Sequence, residues 1–223
     1  MKSILINEWK GLARNRIFRV LLVLFVSSLL LVTWFGVEQT KEQRQAQESA
    51  HEHIRAQWDE MEPSNPHRAA HFGSYAFKPT SILSSIDEGI NAVTGNVLRL
   101  EGHTQNDVMF SEASQSLIMS RFGKLKPSLL FQFVIPLFLI FLSFGTYTSE
   151  RESGRLKLLV IQGARVPKIV FAKVLSIWSI GLSLLLLTLC TQLLFQTQQI
   201  DLDTQVRLLL LCMTYGAYYL ILI

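Results

Sequence analysis

The sequence predicts an all-α membrane protein with several transmembrane helices, and its composition and the distribution of its charges lead to this fold class. Apolar residues make up 49% of the chain and charged residues only 17%, against about 25% charged residues in a typical soluble domain. Charge is missing from four runs, at 20–37, 127–149, 174–200 and 208–223. Since a helix needs roughly 20 mostly apolar residues to cross the hydrocarbon layer, we predict membrane spans at 17–37, 127–149, 174–200 and 208–223.

The first predicted span could be a cleaved signal peptide, and the fourth could be truncated. The fourth run reaches Ile223 without a polar flank, so we expect this span to be truncated and the chain to be the first part of a longer protein; a naturally short protein is the alternative. The first run follows basic residues, as in a cleaved signal peptide. Its apolar stretch exceeds the usual length of about 7–15 residues and no A-x-A site follows, which favours an uncleaved anchor.

The distribution of basic residues predicts the orientation of the spans. Lysine and arginine crowd the N-terminus and the segment 150–173, whereas the segment 38–126 has mixed charge. Short loops rich in these residues stay in the cytoplasm. We therefore predict a cytoplasmic N-terminus, a periplasmic segment 38–126 and a cytoplasmic loop 150–173, in a bacterial inner membrane. The basic clusters suit contacts with lipid headgroups, and we expect no nucleic-acid partner.

Residues 1–16 are predicted to form an amphipathic helix at the membrane interface. Leu5, Trp9 and Leu12 recur at helical spacing, and Lys10 and Arg14 are available to the polar side. Such helices lie in the interface with tryptophan at the level of the headgroups. The alternative is a simple N-terminal extension of the first span.

The segment 38–126 is predicted to be a mostly helical external domain. Good helix formers fill 40–61 and end before Pro63 and Pro66, at which a helix stops. Apolar residues with helical spacing then predict a second helix over 82–97, weakened by Gly89 and Gly95, and a third over 108–126.

All five histidines fall in this external segment. His51 and His53 are two positions apart in the chain, His67 and His71 are four apart, and His103 stands alone. A spacing of four places two imidazoles on one helix face, an arrangement used by metal sites. The sequence thus leaves two interpretations, a metal site drawn from His51, His53, His67 and His71 or a solvated polar surface.

Motifs for catalysis or nucleotide binding are not recognisable in the sequence. Gly123-Lys124 lacks the upstream glycine of a phosphate-binding loop. The uncharged runs at 20–37, 127–149, 174–200 and 208–223 carry no Asp, Glu, Lys, Arg or His, and such side chains in a membrane span usually mark ion or proton paths. Both cysteines lie in spans, where a disulfide is not expected. We therefore expect that the chain is not an enzyme and that the energy for any work it does comes from a partner.

The loop 150–173 contains the most informative run, Glu-Arg-Glu-Ser-Gly-Arg-Leu-Lys-Leu-Leu at 150–159. Charged residues, a glycine and a short apolar segment follow the second span directly, which predicts a compact helix held between two membrane helices. A force on that helix would move both spans. The alternative is an ordinary basic loop. Within the second span, Pro136 predicts a kink, since proline removes a helical hydrogen bond.

The run resembles the E-[RK]-E-x-G-[TS]-L motif of permease subunits of ATP-binding-cassette type-2 exporters. Arg155 stands where that family usually has a small hydroxyl residue. The runs at 64–73 and 76–79 resemble a subgroup with a large external domain between the first two spans, related to the permease of the copper-site maturation system of nitrous oxide reductase. The likeness covers the whole chain, and six spans are usual in such families.

This resemblance implies a mechanism and a set of partners. A separate ATPase subunit would bind ATP and Mg²⁺, and a second permease copy or paralogue would complete the membrane domain. The loop would be a coupling helix seated on the ATPase, and residues 1–16 would be the connecting helix. The coupling residues implied are Glu150, Arg151, Glu152, Gly154, Arg155, Leu156 and Leu159.

Two other classes of function stay open from the sequence. A membrane-anchored sensor or receptor would bind its ligand with the external domain, but it needs a signalling domain that these residues do not contain. An assembly factor for a periplasmic metalloprotein needs no such domain. Co-purification of an ATPase subunit would favour a permease over both a sensor and an assembly factor.

Overall fold

A computed structural model describes residues 2–78, 81–103, 108–109, 125–144, 146–195 and 200–223. It has two compact units, a membrane unit (Met1–Thr33 with Pro127–Ile223) and an insert unit (Trp34–Lys126). The elements are α1 (Lys2–Arg14), α2 (Arg16–Asp59), α3 (Pro66–Phe72), β1 (Ser74–Phe77), α4 (Ile82–Ile86), α5 (Asn91–Thr94), β2 (Val97–Leu100), β3 (Val108–Met109), α6 (Pro127–Leu129), a π-helical turn (Leu130–Val134), α7 (Ile135–Ser143), α8 (Thr146–Glu152), α9 (Arg155–Ile161), α10 (Val166–Leu194) and α11 (Leu202–Leu222).

Among the described residues, four helical stretches are long and apolar enough to cross a membrane: Arg16–Asp59, Pro127–Glu152, Val166–Leu194 and Leu202–Leu222. They confirm the predicted all-α polytopic membrane protein. The first is a single helix of 44 residues, so the predicted first span and the predicted helix at 40–61 are continuous. The third begins at Val166, eight residues before the uncharged run at 174–200.

Helix α10 forms the centre of the membrane unit and packs against α1, α7 and α11. Its inward side chains, such as Ile169, Ile180 and Leu185, are buried. Close approach of the neighbouring helices depends on Gly181, where a Cβ atom would lie 2.8 Å from Leu139 Cδ1 and 3.2 Å from Tyr219 Cδ2. Small residues at such crossings are typical of membrane helices, which gain stability by packing closely.

The second span is irregular near its start, where the π-helical turn Leu130–Val134 precedes Pro136. Proline has no backbone N–H and its ring displaces the carbonyl four residues earlier. The N–H of Ile135 donates to the carbonyl of Leu130, five residues back, where a regular α-helix would use Phe131. The Phe131 carbonyl instead accepts a hydrogen bond from the hydroxyl of Tyr219 in α11 at 3.2 Å. The π turn thus makes a backbone acceptor available to another span.

Replacing Tyr219 by phenylalanine removes that hydrogen bond and leaves the ring in place. We expect a loss of about 1 kcal/mol in the stability of the purified protein, because hydrogen bonds between membrane helices average roughly 0.6 kcal/mol and reach about 1.7 kcal/mol. Unfolding followed by tryptophan fluorescence in detergent measures the change. Tyr218→Phe, one residue earlier and at a more exposed position, is the matched control, and equal losses in the two variants would contradict the assignment.

The insert unit contains a small sheet as well as helices. The residues of this unit that the structure describes include three antiparallel strands in the order β1-β2-β3, with Ser74 opposite Leu100 and Phe77 opposite Val97. Lys126 is buried at the end of this unit, where its Nζ lies 2.8 Å from Glu88 Oε2 and donates to the Ser84 carbonyl at 2.6 Å. Ile82 and Ile86 of α4 supply buried apolar side chains.

The predicted helix over 82–97 is only partly right. The structure has α4 and α5, each of five residues or fewer, followed by strand β2. Gly89 and Gly95 interrupt the helical pattern with positive φ angles of 57° and 68°, which glycine adopts at little cost. The predicted helix over 108–126 begins as strand β3 instead, and its part at 110–124 lies outside the described residues.

Candidate functional site

The segment that carries the run at 150–159 forms two short helices in the membrane unit, α8 and α9, joined at Gly154. Gly154 has φ 73° and ψ −2°, a left-handed conformation that glycine adopts without a Cβ clash. Glu150, Arg151 and Glu152 lie at the end of α8, whereas Arg155, Leu156 and Leu159 lie on α9. The structure therefore brings the predicted coupling residues together, but on two helices rather than one.

The side chains of this helix pair differ in their exposure. Arg151, Glu152 and Arg155 are exposed, and Leu156 and Leu159 are half-buried. The exposed apolar side chains of α9 are instead Leu158 (60%), Val160 (44%) and Ile161 (72%), of which Ile161 is the most exposed. The resemblance implies Leu156 and Leu159 as partner contacts and does not include Leu158 or Ile161, because which side of a seven-residue helix is exposed depends on its packing.

A charge cluster of Glu8, Glu150 and Lys173 lies next to the helix pair. Lys173 Nζ is 2.8 Å from Glu8 Oε1 and 3.0 Å from Glu150 Oε1, and its side chain is only 6% exposed. The cluster joins α1, α8 and α10. Buried charges are stable when they are paired, so these three helices are held together by one ammonium group.

The membrane unit also has an open groove of about 550 Å³ between α1 and the helix pair. Its lining comprises Asn7, Glu8, Gly11, Leu12, Asn15, Glu150, Arg155, Leu158, Leu159 and Gln162. Helix α1 also contacts α10, where Trp9 Nε1 donates a hydrogen bond to Ser179 Oγ at 3.1 Å. Asn15 separates α1 from α2 and its Oδ1 accepts from the N–H of Ile17 at 2.9 Å. Helix α1 is therefore a distinct element that packs beside α8 and α9.

Neither Glu8 nor Lys173 was predicted as a site residue. Lys173 counts as a loop residue when the third span is taken from the uncharged run that begins at Val174. The sequence did contain a local signal: Lys173 is flanked by apolar residues within α10, and an ionisable residue in a membrane helix usually has a partner or a function.

The histidines of the insert unit divide into two groups. His67, His71 and His103 form a histidine cluster whose possible ligand nitrogens all lie within 4.8 Å of one another. His51 and His53 lie on α2, where His53 Nε2 is 3.1 Å from Gln57 Nε2, and they are not members of this cluster. His103, which is distant from the other histidines in the sequence, is the third member.

The spans and the helix pair define this chain as a multi-pass membrane protein. A family model described as "ABC-2 family transporter protein" matches residues 2–223. The chain belongs to this family and is a membrane-spanning permease subunit of an ATP-binding-cassette transporter, in which ATP is hydrolysed by a separate subunit. Searches of curated proteins and of solved structures gave no significant match.

Proposed function

We propose that the chain is the permease subunit of an exporter in a bacterial inner membrane, and that α8 and α9 couple it to the ATPase subunit. The observation that carries this proposal is the position of the helix pair. Its charged side chains and the apolar side chains of Leu158 and Ile161 are exposed, and Lys173 links it to α1 and α10. A displacement of the pair would therefore reach the interfacial helix and the third span.

The composition of the exposed face suits a protein partner. Interfaces bury an apolar centre within a polar rim, and charged pairs at the rim set orientation and association rate. Ile161 and Leu158 would supply the apolar centre, and Glu152 and Arg155 the rim. The N-terminus and this loop would then be cytoplasmic, and the insert unit would be the periplasmic domain of the subgroup that the sequence resembles.

The experiment is isolation of the full-length protein with its ATPase subunit. We expect Glu152→Lys combined with Leu156→Asp to abolish ATP hydrolysis by the complex while the chain still reaches the membrane, because the first change reverses a rim charge and the second disturbs α9. Glu52→Lys, at an exposed glutamate of α2, is the control. A double variant that binds the ATPase subunit and supports normal ATP hydrolysis would refute the coupling role.

A further inference from the structure

The histidine cluster of the insert unit brings three imidazoles close together, with their ligand nitrogens within 4.8 Å of one another, and we propose that His67, His71 and His103 bind one divalent first-row transition ion of the Zn²⁺ type. Imidazole nitrogen suits zinc, copper and nickel, whereas calcium and magnesium prefer oxygen. The proposal concerns the insert unit alone and does not depend on the coupling role of α8 and α9.

The distances between the imidazoles support this assignment. His67 Nε2 and His71 Nε2 are 3.3 Å apart. Two nitrogens bound to one tetrahedral zinc ion at about 2.05 Å are also separated by about 3.3 Å. The largest separation within the cluster, up to 4.8 Å, would need to shorten by about 1.5 Å to reach that value. The three rings are exposed, and exposed side chains change rotamer within nanoseconds.

The fold brings the third ligand to the first two. The side chain of Asn65 accepts from the N–H of His67 and fixes the start of α3, so His67 and His71 share one helix face. Strand β1 follows α3 directly and pairs with β2, which places the end of β2 beside the end of α3. The N–H of Gly102 then donates to the Ala70 carbonyl at 3.0 Å, and His103 is the next residue.

Two backbone features hold His103 in this position. A Cβ atom on Gly102 would lie only 3.3 Å from the Ala70 carbonyl oxygen, so the close approach of this turn to α3 favours glycine. His103 itself has a positive φ of 65°, an uncommon conformation for a residue with a side chain. The turn therefore directs an imidazole toward α3 by way of a conformation that most residues avoid.

The arrangement leaves room for a further ligand. Zinc sites with three protein ligands keep a fourth position for water or a substrate group. A contact between neutral imidazoles, in which one ring nitrogen donates to another, accounts for the His67–His71 distance without an ion. A direct hydrogen bond between His67 and His71 does not involve His103, whereas the proposed metal site does. Replacement of His103 therefore distinguishes the two explanations.

The test uses the full-length protein, purified in detergent through a histidine-free tag and stripped with a chelator. We expect one equivalent of Zn²⁺ per chain in titrations against a competing indicator, and Co²⁺ should give the absorption of a four-coordinate site. Each of His67→Gln, His71→Gln and His103→Gln should raise the Kd for Zn²⁺ at least about 100-fold, since even the loss of an outer partner costs 10–100-fold. The double variant His51→Gln/His53→Gln is the matched control and should bind as the wild type does.

Three results would overturn the proposal: no Zn²⁺ binding by the wild type, wild-type affinity in any one of the three single variants, or lost binding in the control. Thermal unfolding without metal checks that each single variant is folded. If the ion is bound as proposed, added Zn²⁺ should raise the Tm of the wild type and of the control, but not of His103→Gln, because only a folded state that binds the ion gains stability from it.

Discussion

Lys173→Met is expected to destabilise the purified protein by about 3 kcal/mol, because removal of one partner from a buried ion pair leaves an uncompensated charge. In this case two carboxylates, those of Glu8 and Glu150, would lose the ammonium group that lies 2.8 and 3.0 Å away. Their side chains are only 19% and 17% exposed, so water replaces little of the lost interaction. For a chain of this length the fall in Tm should be on the order of 10 °C.

The matched control is Lys168→Met, which removes an exposed lysine from the same helix, five residues earlier. Exposed substitutions usually change stability by no more than about 0.5 kcal/mol. A triple variant, Lys173→Met with Glu8→Gln and Glu150→Gln, tests the cause, because it removes the unpaired carboxylates as well. It should regain most of the lost Tm. Equal values of Tm for the two methionine variants would show that the charge cluster does not hold α1, α8 and α10 together.

The membrane spans could be predicted because the length of an apolar run is a local property of the sequence. The charge cluster could not, since Glu8 and Lys173 are 165 residues apart and their contact depends on which helices meet. The sequence predicts one compact helix in the loop 150–173 and includes Gly154 in its motif, whereas the structure has two short helices, α8 and α9, joined at Gly154. The sequence does not show how α9 is rotated about its own axis. In the structure Leu158 and Ile161 are exposed, whereas Leu156 and Leu159 are half-buried.

In the insert unit, too, features set by nearby residues could be predicted from the sequence, whereas contacts between distant residues could not. The spacing of His67 and His71 is visible in the sequence and places them on one helix face. His103 joins them only through the pairing of β1 with β2, and neither strand was predicted. The pattern at 82–97 fits a helical period, but Gly89 and Gly95 break it and Val97 becomes part of a strand.

The exposed position of Ile161 leads to the second large effect, on association with the ATPase subunit. If Ile161 contacts that subunit, Ile161→Asp should weaken the complex about 10- to 100-fold, because burial of an isoleucine side chain is worth roughly 1.5–3 kcal/mol and a buried carboxylate adds a desolvation cost. Titration of the purified permease with the ATPase subunit, read out as bound subunit and as ATP hydrolysis, measures the change.

Ile90→Asp provides a close control, since Ile90 of the insert unit is 72% exposed, as is Ile161. Both substitutions place the same charge at equally open positions, so neither should change the Tm by more than about 1 °C, given that exposed substitutions are usually within about 0.5 kcal/mol. Only Ile161→Asp should reduce ATPase binding. A fall in Tm without loss of binding would instead mean that α9 packs against lipid or its own chain. Ile161 would then not belong to the coupling surface, and contact with the ATPase subunit would have to be made by other exposed residues of α8 and α9.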